Sequence, residues 1–388
     1  MQELRIGIVG VGGMGGNHVE SVKVTPRARL SAICDIKKDL ADNVAAKNGA
    51  KAFYDADTMF KSGEIDAVII ATPHYDHTPL TVMALDSGIH VLTEKPIAVH
   101  KKDAAKMIEA HRRNPKLQFA AMFQMRTEPW TQKLKSLINS GELGNIYRIN
   151  WIITNWFRSQ AYYNSGGWRA TWKGEGGGVL LNQCPHQIDL YQWFFGMPSK
   201  VRGFCQIGKY HNIEVEDNVT SYFEYPDGKT AVFITSTGEA PGTNRLEISC
   251  DRGRLVFEDG KLSLRRTELS VKEFLETSKE SFATPPVWEI QIPVAQSAGS
   301  PHQKIIENFV CAILDGAALI APASEGINSV ELANSMLYSS MKNCTVDMPL
   351  DQDAFEKALA ELVRTSKYVK PEAGANQNAD LSKSFNKG

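Results

Sequence analysis

The segment from Glu175 to Phe195 reads EGGGVLLNQCPHQIDLYQWFF and sets Asn182, Cys184, His186 and Asp189 close together behind three glycines. Metal ligation suits this set poorly. Asn is a weak ligand, no second histidine-rich segment offers partners, and one His with one Cys does not close a site. A Cys184–His186 nucleophilic pair fails on geometry, because residues two apart on a helix do not face each other. On a helix beginning near Leu181, Asn182, His186 and Asp189 would share one face. Pro185 is tolerated only near a helix start, which sets His186 at the helix entrance. An imidazole with an ordinary pKa of about 6.5 can take a hydroxyl proton near neutrality, the step an alcohol oxidation needs while hydride leaves carbon. Asp189, deeper along the helix, reads as structural. A second candidate is Lys95 in TEKP; Pro96 keeps it out of helical geometry and fixes its direction.

The elements before these residues would position them. LRIGIVG leads through Gly10, Gly12, Gly13, Met14 and Gly15 into a helix-like segment, so a GxGxxG pattern sits between strand and helix. Gly10 permits the tight turn, Gly12 admits a pyrophosphate to the backbone, and Gly15 allows close helix–strand packing. The phosphates would meet N–H groups at a helix N-terminus. Asp35 ends the next strand about 20 residues past Gly15. It would accept from the ribose hydroxyls and repel a 2′-phosphate, favouring NAD over NADP. Further β/α units place Thr72, Pro73, His74, Glu94, Lys95 and Gln124 at strand carboxyl ends, where an open parallel sheet binds its ligands.

GVGGMG, then ATPHYDHTPL with GIHVLTEKP, and finally GGGVLLNQCPHQIDL resemble, in that order, the glucose–fructose oxidoreductase/inositol dehydrogenase (Gfo/Idh/MocA) family over residues 4–345. The resemblance implies an N-terminal α/β Rossmann domain with a doubly wound parallel sheet over 1–125. It implies an α+β domain with a large, mainly antiparallel open sheet over 126–368, which binds substrate and assembles a homodimer or homotetramer. It makes His186 the general base and Lys95 the residue that stabilises the reacting oxygen. Trp168, Arg169 and His77 would reach cofactor, and Tyr162, Tyr163 and Arg126 substrate. Many polyol dehydrogenases of the family carry aspartate four residues before the histidine. Here Asn182 stands there, able to orient a sugar hydroxyl but not to act as a base. The expected activity is therefore NAD-dependent oxidation of a secondary ring hydroxyl of a pyranose, anhydrosugar or glycoside, giving a 3-keto sugar. The alternatives are an inositol or polyol dehydrogenase, a glycosidase using transient oxidation, and a non-catalytic NAD-binding regulator. His302 and the Asp217–Asn218 pair also match family positions but receive no role.

The bulk composition agrees with a globular enzyme of two domains: 388 residues, 43% hydrophobic and 22% charged. A net charge of −1 without basic blocks argues against nucleic acid. No apolar run has the length of a membrane span, and MQELRIGIVG enters a strand without a signal peptide. Six scattered cysteines without CxxC pairs fit reduced thiols in a cytoplasm, and no metal site is expected. From about Gly141, β-branched and aromatic runs separated by turns such as Pro226-Asp227-Gly228 indicate antiparallel strands. The loop NWFRSQAYYNSGGWRATWK mixes aromatics, Asn, Gln and Arg as a sugar site would. The tail 369–388 lacks apolar periodicity and is expected to be poorly ordered or an assembly arm.

Overall fold

A computed structural model describes residues 2–371. Six strands form the first sheet: β1 Leu4–Val9, β2 Ala28–Cys34, β3 Lys51–Phe53, β4 Ala67–Ile70, β5 His90–Thr93 and β6 Phe119–Ala121. Their order is β3-β2-β1-β4-β5-β6, with every pairing parallel. This is the doubly wound Rossmann order. Helices cover both faces, so its strands read as unbroken apolar runs; all four residues of β4 are buried. Between β1 and β4 the strand order reverses direction, which opens a crevice at their carboxyl ends.

The second sheet has nine strands: β7 Ile146–Ile153, β8 Lys200–Ile207, β9 Glu216–Glu224, β10 Thr230–Ser236, β11 Asn244–Cys250, β12 Gly253–Glu258, β13 Lys261–Thr267, β14 Val287–Ile292 and β15 Val346–Asp347. Their order is β14-β13-β12-β11-β7-β10-β9-β8-β15. Only β7 and β10 pair in parallel; the remaining pairs are antiparallel. One face alternates into the core: in β9, Val219, Ser221 and Phe223 are buried while their neighbours Thr220, Tyr222 and Glu224 are exposed. The helix Pro185–Phe195 packs on that inner face, with Tyr191 edge-on to Phe223 and Phe233.

Two hydrophobic cores follow from the two sheets, but the chain does not divide cleanly between them. Ile305, Ile306, Phe309 and Val310 of the helix Pro301–Asp315 return to the first core. The long helix Ala323–Lys342 serves both: Val330 belongs to the first core, and Leu332, Ala333, Met336 and Leu337 to the second. Of the expected tail, residues 372–388 lie outside the described residues. Its first residues cross back over the loop ahead of the glycine run. There Lys370 Nζ donates to Gly166 O at 2.5 Å and Arg169 O at 2.7 Å, while Tyr368 Oη, just ahead of the tail, donates to Asn212 O at 2.9 Å.

Candidate active site

A cavity of about 780 Å³ runs from the glycine turn to the entrance of the helix Pro185–Phe195. At its outer end Gly10, Gly12, Gly13 and Met14 line the wall. Gly10 has φ +81°, and a Cβ there would meet Ala71 O at 2.9 Å. A Cβ on Gly15 would lie 1.8 Å from Gly10 O, so helix and turn close only around hydrogen at that position. Gly12 is different, because a Cβ there would meet nothing within 4 Å and would project into open space. Asp35 accepts from Val11 N at 3.0 Å and Lys37 N at 2.9 Å, which aims its carboxylate along the turn. The bare backbone, the helix N-terminus and this carboxylate fit a dinucleotide.

The inner end is assembled from segments far apart in sequence. Lys95, at the end of β5, donates from Nζ to Asn182 O at 2.9 Å. The neighbouring Glu94 is buried, which opposes its charge. Yet a 2.7 Å hydrogen bond to His18 and the charges of His18 and Lys95 outweigh burial and hold its carboxyl below the usual range. Its other oxygen accepts from Lys95 N at 3.0 Å. Burial pushes the Lys95 ammonium below its usual value, Glu94 opposes that shift, and Arg169 adds to it. Gln124 Nε2 donates to His186 Nε2 at 3.2 Å. Burial, followed by the nearby Lys95 charge, drives the His186 pKa well below 6.5, so the ring is neutral over the physiological range. Gln124, His186, Gln183 and Trp156 line this end, and each keeps one buried polar atom without a protein partner: Gln124 Oε1, His186 Nδ1, Gln183 Oε1 and Trp156 Nε1.

Asn182, His186 and Asp189 do not share one helical face. The helix starts at Pro185, with its proline in the first turn, and Asn182 lies in the turn before it. Asn182 still lines the cavity, where its amide nitrogen donates to the carboxylate of the buried Glu175. Asp189 points away and binds Arg126. Two residues expected at substrate are elsewhere. Arg126 is fully buried and its guanidinium is held by Asp189, at 2.8 and 2.7 Å, and by Glu325 at 2.5 Å. Tyr163 is buried in the second core, with its hydroxyl 2.7 Å from Thr237 Oγ1. Tyr162 does reach the cavity and accepts from Arg169 Nη1 at 2.7 Å and Gln183 Nε2 at 3.1 Å. Trp168 sits edge-on to His74 with ring centres 5.1 Å apart, and both line the wall with Thr72, Pro73 and Arg169. His77 also lines it, yet its ring nitrogens lie 2.8 Å from Pro96 O and 2.9 Å from Thr72 O, so the ring ties two strand ends together.

The glycine run has a steric reason as well. A Cβ on Gly178 would lie 2.0 Å from Glu216 O, while Glu216 Oε1 accepts from Gly178 N and Leu180 N. The helix entrance therefore seats directly on β9. Burial pushes the Cys184 thiol to about 12, which removes it as a nucleophile. Asp217 accepts from Lys209 N, Tyr210 N and His211 N and holds a loop. Trp156, Arg158 and Gln183 join the cavity without having been singled out in the sequence, and His302, noted there without a role, lines it too. Trp156 and Arg158 at least fall in a loop whose composition marked it. Among the described residues no His, Cys, Asp and Glu group could hold a metal ion, and no helix is long and apolar enough to cross a membrane.

Sequence families agree with this architecture. The oxidoreductase family with an NAD-binding Rossmann fold matches residues 4–122, and the GFO/IDH/MocA C-terminal domain matches residues 131–256. The chain belongs to the GFO/IDH/MocA family of oxidoreductases, and its first unit is an NAD-binding Rossmann domain. It is 31% identical over 194 residues to inositol 2-dehydrogenase of Rubrobacter xylanophilus, covering 50% of this chain and 52% of that one. The chain thus spans about half the length of such relatives. The WlbA dehydrogenase from Chromobacterium violaceum, solved with NADH and UDP-GlcNAcA, superimposes with a TM-score of 0.78 at 25% identity, over 90% of this chain and 97% of that one. Levoglucosan dehydrogenase, solved with NADH and levoglucosan, shares the fold with a TM-score of 0.75 at 20% identity over 90% of this chain and 100% of that one.

Proposed function

We propose that the protein is an NAD-dependent dehydrogenase that oxidises a secondary ring hydroxyl of a pyranose, anhydrosugar or glycoside, with a 3-keto sugar as the expected product. One observation carries this reading: Lys95, beyond a strand of the first sheet, and His186, on a helix packed against the second, line the same end of the cavity that begins at the dinucleotide turn. The relatives' sugars and cyclitols support the substrate class, as do the polar side chains of Asn182, Gln183 and Tyr162 along this end.

Gly10, Gly12, Gly13, Met14 and Asp35 would hold NAD, with Thr72, Pro73, His74, Trp168 and Arg169 along the wall; when bound, NAD supplies the hydride acceptor. The substrate hydroxyl takes the place of the Gln124 amide at His186 Nε2 and gives its proton to the neutral ring. Lys95 Nζ, anchored on Asn182 O, donates to the same oxygen and stabilises the charge that develops there. Asn182 and Tyr162 orient neighbouring hydroxyls. Glu94 keeps a compensating charge beside Lys95, which opposes the loss of its proton through burial. The exposed aromatic rings Phe204 and Tyr222 on the outer face of the large sheet support a homodimer or homotetramer built on that face.

The test is NADH formation from a panel of pyranoses, anhydrosugars, glycosides and inositols. His186→Ala and Lys95→Met should each lower kcat by roughly 10²–10⁴-fold while NADH fluorescence shows the cofactor still bound. Glycoside cleavage without NADH would replace this reading with transient oxidation. Tight NAD binding with no turnover of any panel member would sink both. The pH profile of kcat/KM checks the roles separately. Activity needs neutral His186, so its acid limb should fall below pH 6.5; it needs charged Lys95, so the basic limb should fall below 10.5.

A further inference from the structure

His18 stands on the buried face of the helix Gly13–Val24, the helix that opens at the dinucleotide turn. It lies behind the cavity wall, not in it. Its Nε2 is 2.7 Å from Glu94 Oε1. An ionised carboxylate only accepts, so Nε2 carries the hydrogen and donates it. Nδ1 is buried and has no protein partner. The hydrogen bond to Glu94 is therefore the polar contact that orients this ring, with the His302 ring tilted against it at 6.0 Å.

Glu94 is in turn held on three sides. Its N donates to Ile70 O in the neighbouring strand at 2.9 Å, and its Oε2 accepts from Lys95 N at 3.0 Å. The carboxylate thus joins the helix of the cofactor turn to the backbone of Lys95. Burial opposes its charge, and the hydrogen bond from His18 is the largest influence acting against burial. Lys95 has the mirror-image difficulty. Burial favours loss of its proton, and Glu94 is the foremost charge opposing that loss; Arg169 and Arg158 work with burial, and Glu175 against it. Glu175 is the weaker support, because burial raises its own pKa above the usual carboxylate range. His74, His186 and His302 also face Lys95, but burial above all lowers each of them, so they bring no charge of their own near neutrality.

We propose that His18 is a positioning residue for the reaction: its hydrogen bond keeps the Glu94 carboxylate fixed beside Lys95, and that carboxylate keeps Lys95 a charged donor to the reacting oxygen. The helix that receives the cofactor at its N-terminus thereby also sets the state of the lysine at the far end of the cavity. This role in turnover rests on the dehydrogenase reading, whereas the link from His18 to Lys95 can be measured without substrate.

Competitive acetylation with acetic anhydride over a range of pH, read at Lys95 by mass spectrometry, gives the protonation midpoint of that amine. The basic limb of kcat/KM, for whichever sugar is turned over, gives its consequence. His18→Met should lower the Lys95 midpoint by about one pH unit. Activity needs the protonated amine, so the basic limb should move to lower pH by the same amount. His18→Gln, whose amide nitrogen can stand in for Nε2, should recover most of both. Glu94→Gln keeps the side-chain shape without the charge and should lower the midpoint as far, and adding His18→Met to it should lower it no further. A lower thermal midpoint in His18→Met with the Lys95 midpoint unmoved would make His18 a packing residue and overturn the proposal. Full additivity in the double variant would overturn it too. If His18→Met does not fold, the other two variants decide. A lowered Lys95 midpoint in Glu94→Gln, with His18→Gln near wild type, supports the link, and an unmoved midpoint in Glu94→Gln breaks it. Wild-type protein that binds NADH and turns over no sugar sinks the dehydrogenase reading, while the acetylation midpoints still decide whether His18 governs Lys95.

Discussion

The two ends of the cavity are built on opposite principles. At the glycine turn the chain presents backbone, an N-terminal helix end and a carboxylate within one contiguous stretch from Gly10 to Asp35. At the inner end it presents side chains carried by a strand end, a loop and a helix entrance: Lys95, Arg158, Arg169 and His186. Backbone recognition suits a ligand that is the same in every related enzyme, because it depends on the shape of one turn. Side-chain recognition from dispersed segments suits a ligand that differs, because each contact can change without disturbing the turn. The common step is thus separated from the particular one along a single cavity.

Substitutions can break that contrast at graded depth. The largest effect is expected at the brace beneath the inner end. Arg126→Met leaves Asp189 charged and buried without its partner, and removing one member of such a pair costs about 3–5 kcal/mol. Denaturant unfolding should show that loss, while KM of the protein that remains folded should hardly move. A large rise in KM with unchanged stability would return Arg126 to the substrate. Next comes the turn itself. Gly15→Ala, with its Cβ 1.8 Å from Gly10 O, should lower the thermal midpoint and NADH affinity together. Gly12→Ala, with nothing within 4 Å of its Cβ, should leave the midpoint in place and weaken NADH by roughly tenfold or more through lost approach alone. Equal effects of the two on stability would break the distinction between packing and approach. Asp35→Ala should reduce the NAD-to-NADP preference by roughly tenfold, read from kcat/KM with each cofactor. The smallest change is expected from Lys370→Met, which removes the donor to Gly166 O and Arg169 O. That contact is partly exposed and should cost no more than about 1 kcal/mol, seen as faster proteolysis in the loop 160–169.

Much of the frame was legible because its signals are local. Strand, glycine turn, helix and Asp35 follow one another within a single β/α/β unit, and the backbone geometry they need restricts the residue types. The hairpin of β9 and β10 was equally open to reading through its Pro-Asp-Gly turn and alternating pattern. Asn182 shows the opposite case. Its spacing to His186 suggested a shared helical face, but Pro185 starts the helix after it, and Asn182 reaches the cavity through a turn seated on Glu216. Arg126 and Tyr163 have types that suit a sugar, yet each is consumed by a partner far along the chain, Asp189 and Thr237. Nothing in local spacing distinguishes an arginine that faces a ligand from one that faces a buried aspartate.

By itself the sequence determined where the backbone must turn, approach and pack closely, since hydrogen in place of a side chain has no substitute at Gly10 and Gly15, and at Gly12 it leaves the backbone open to approach. It also determined the general chemistry, through a lysine before proline and a histidine at a helix entrance. Only the tertiary structure decided which cations share one end of the cavity and which carboxylates are already engaged. Charge and hydrogen-bond balance depend on neighbours brought together across the whole chain, and those distances exist only once both sheets have closed around the same space.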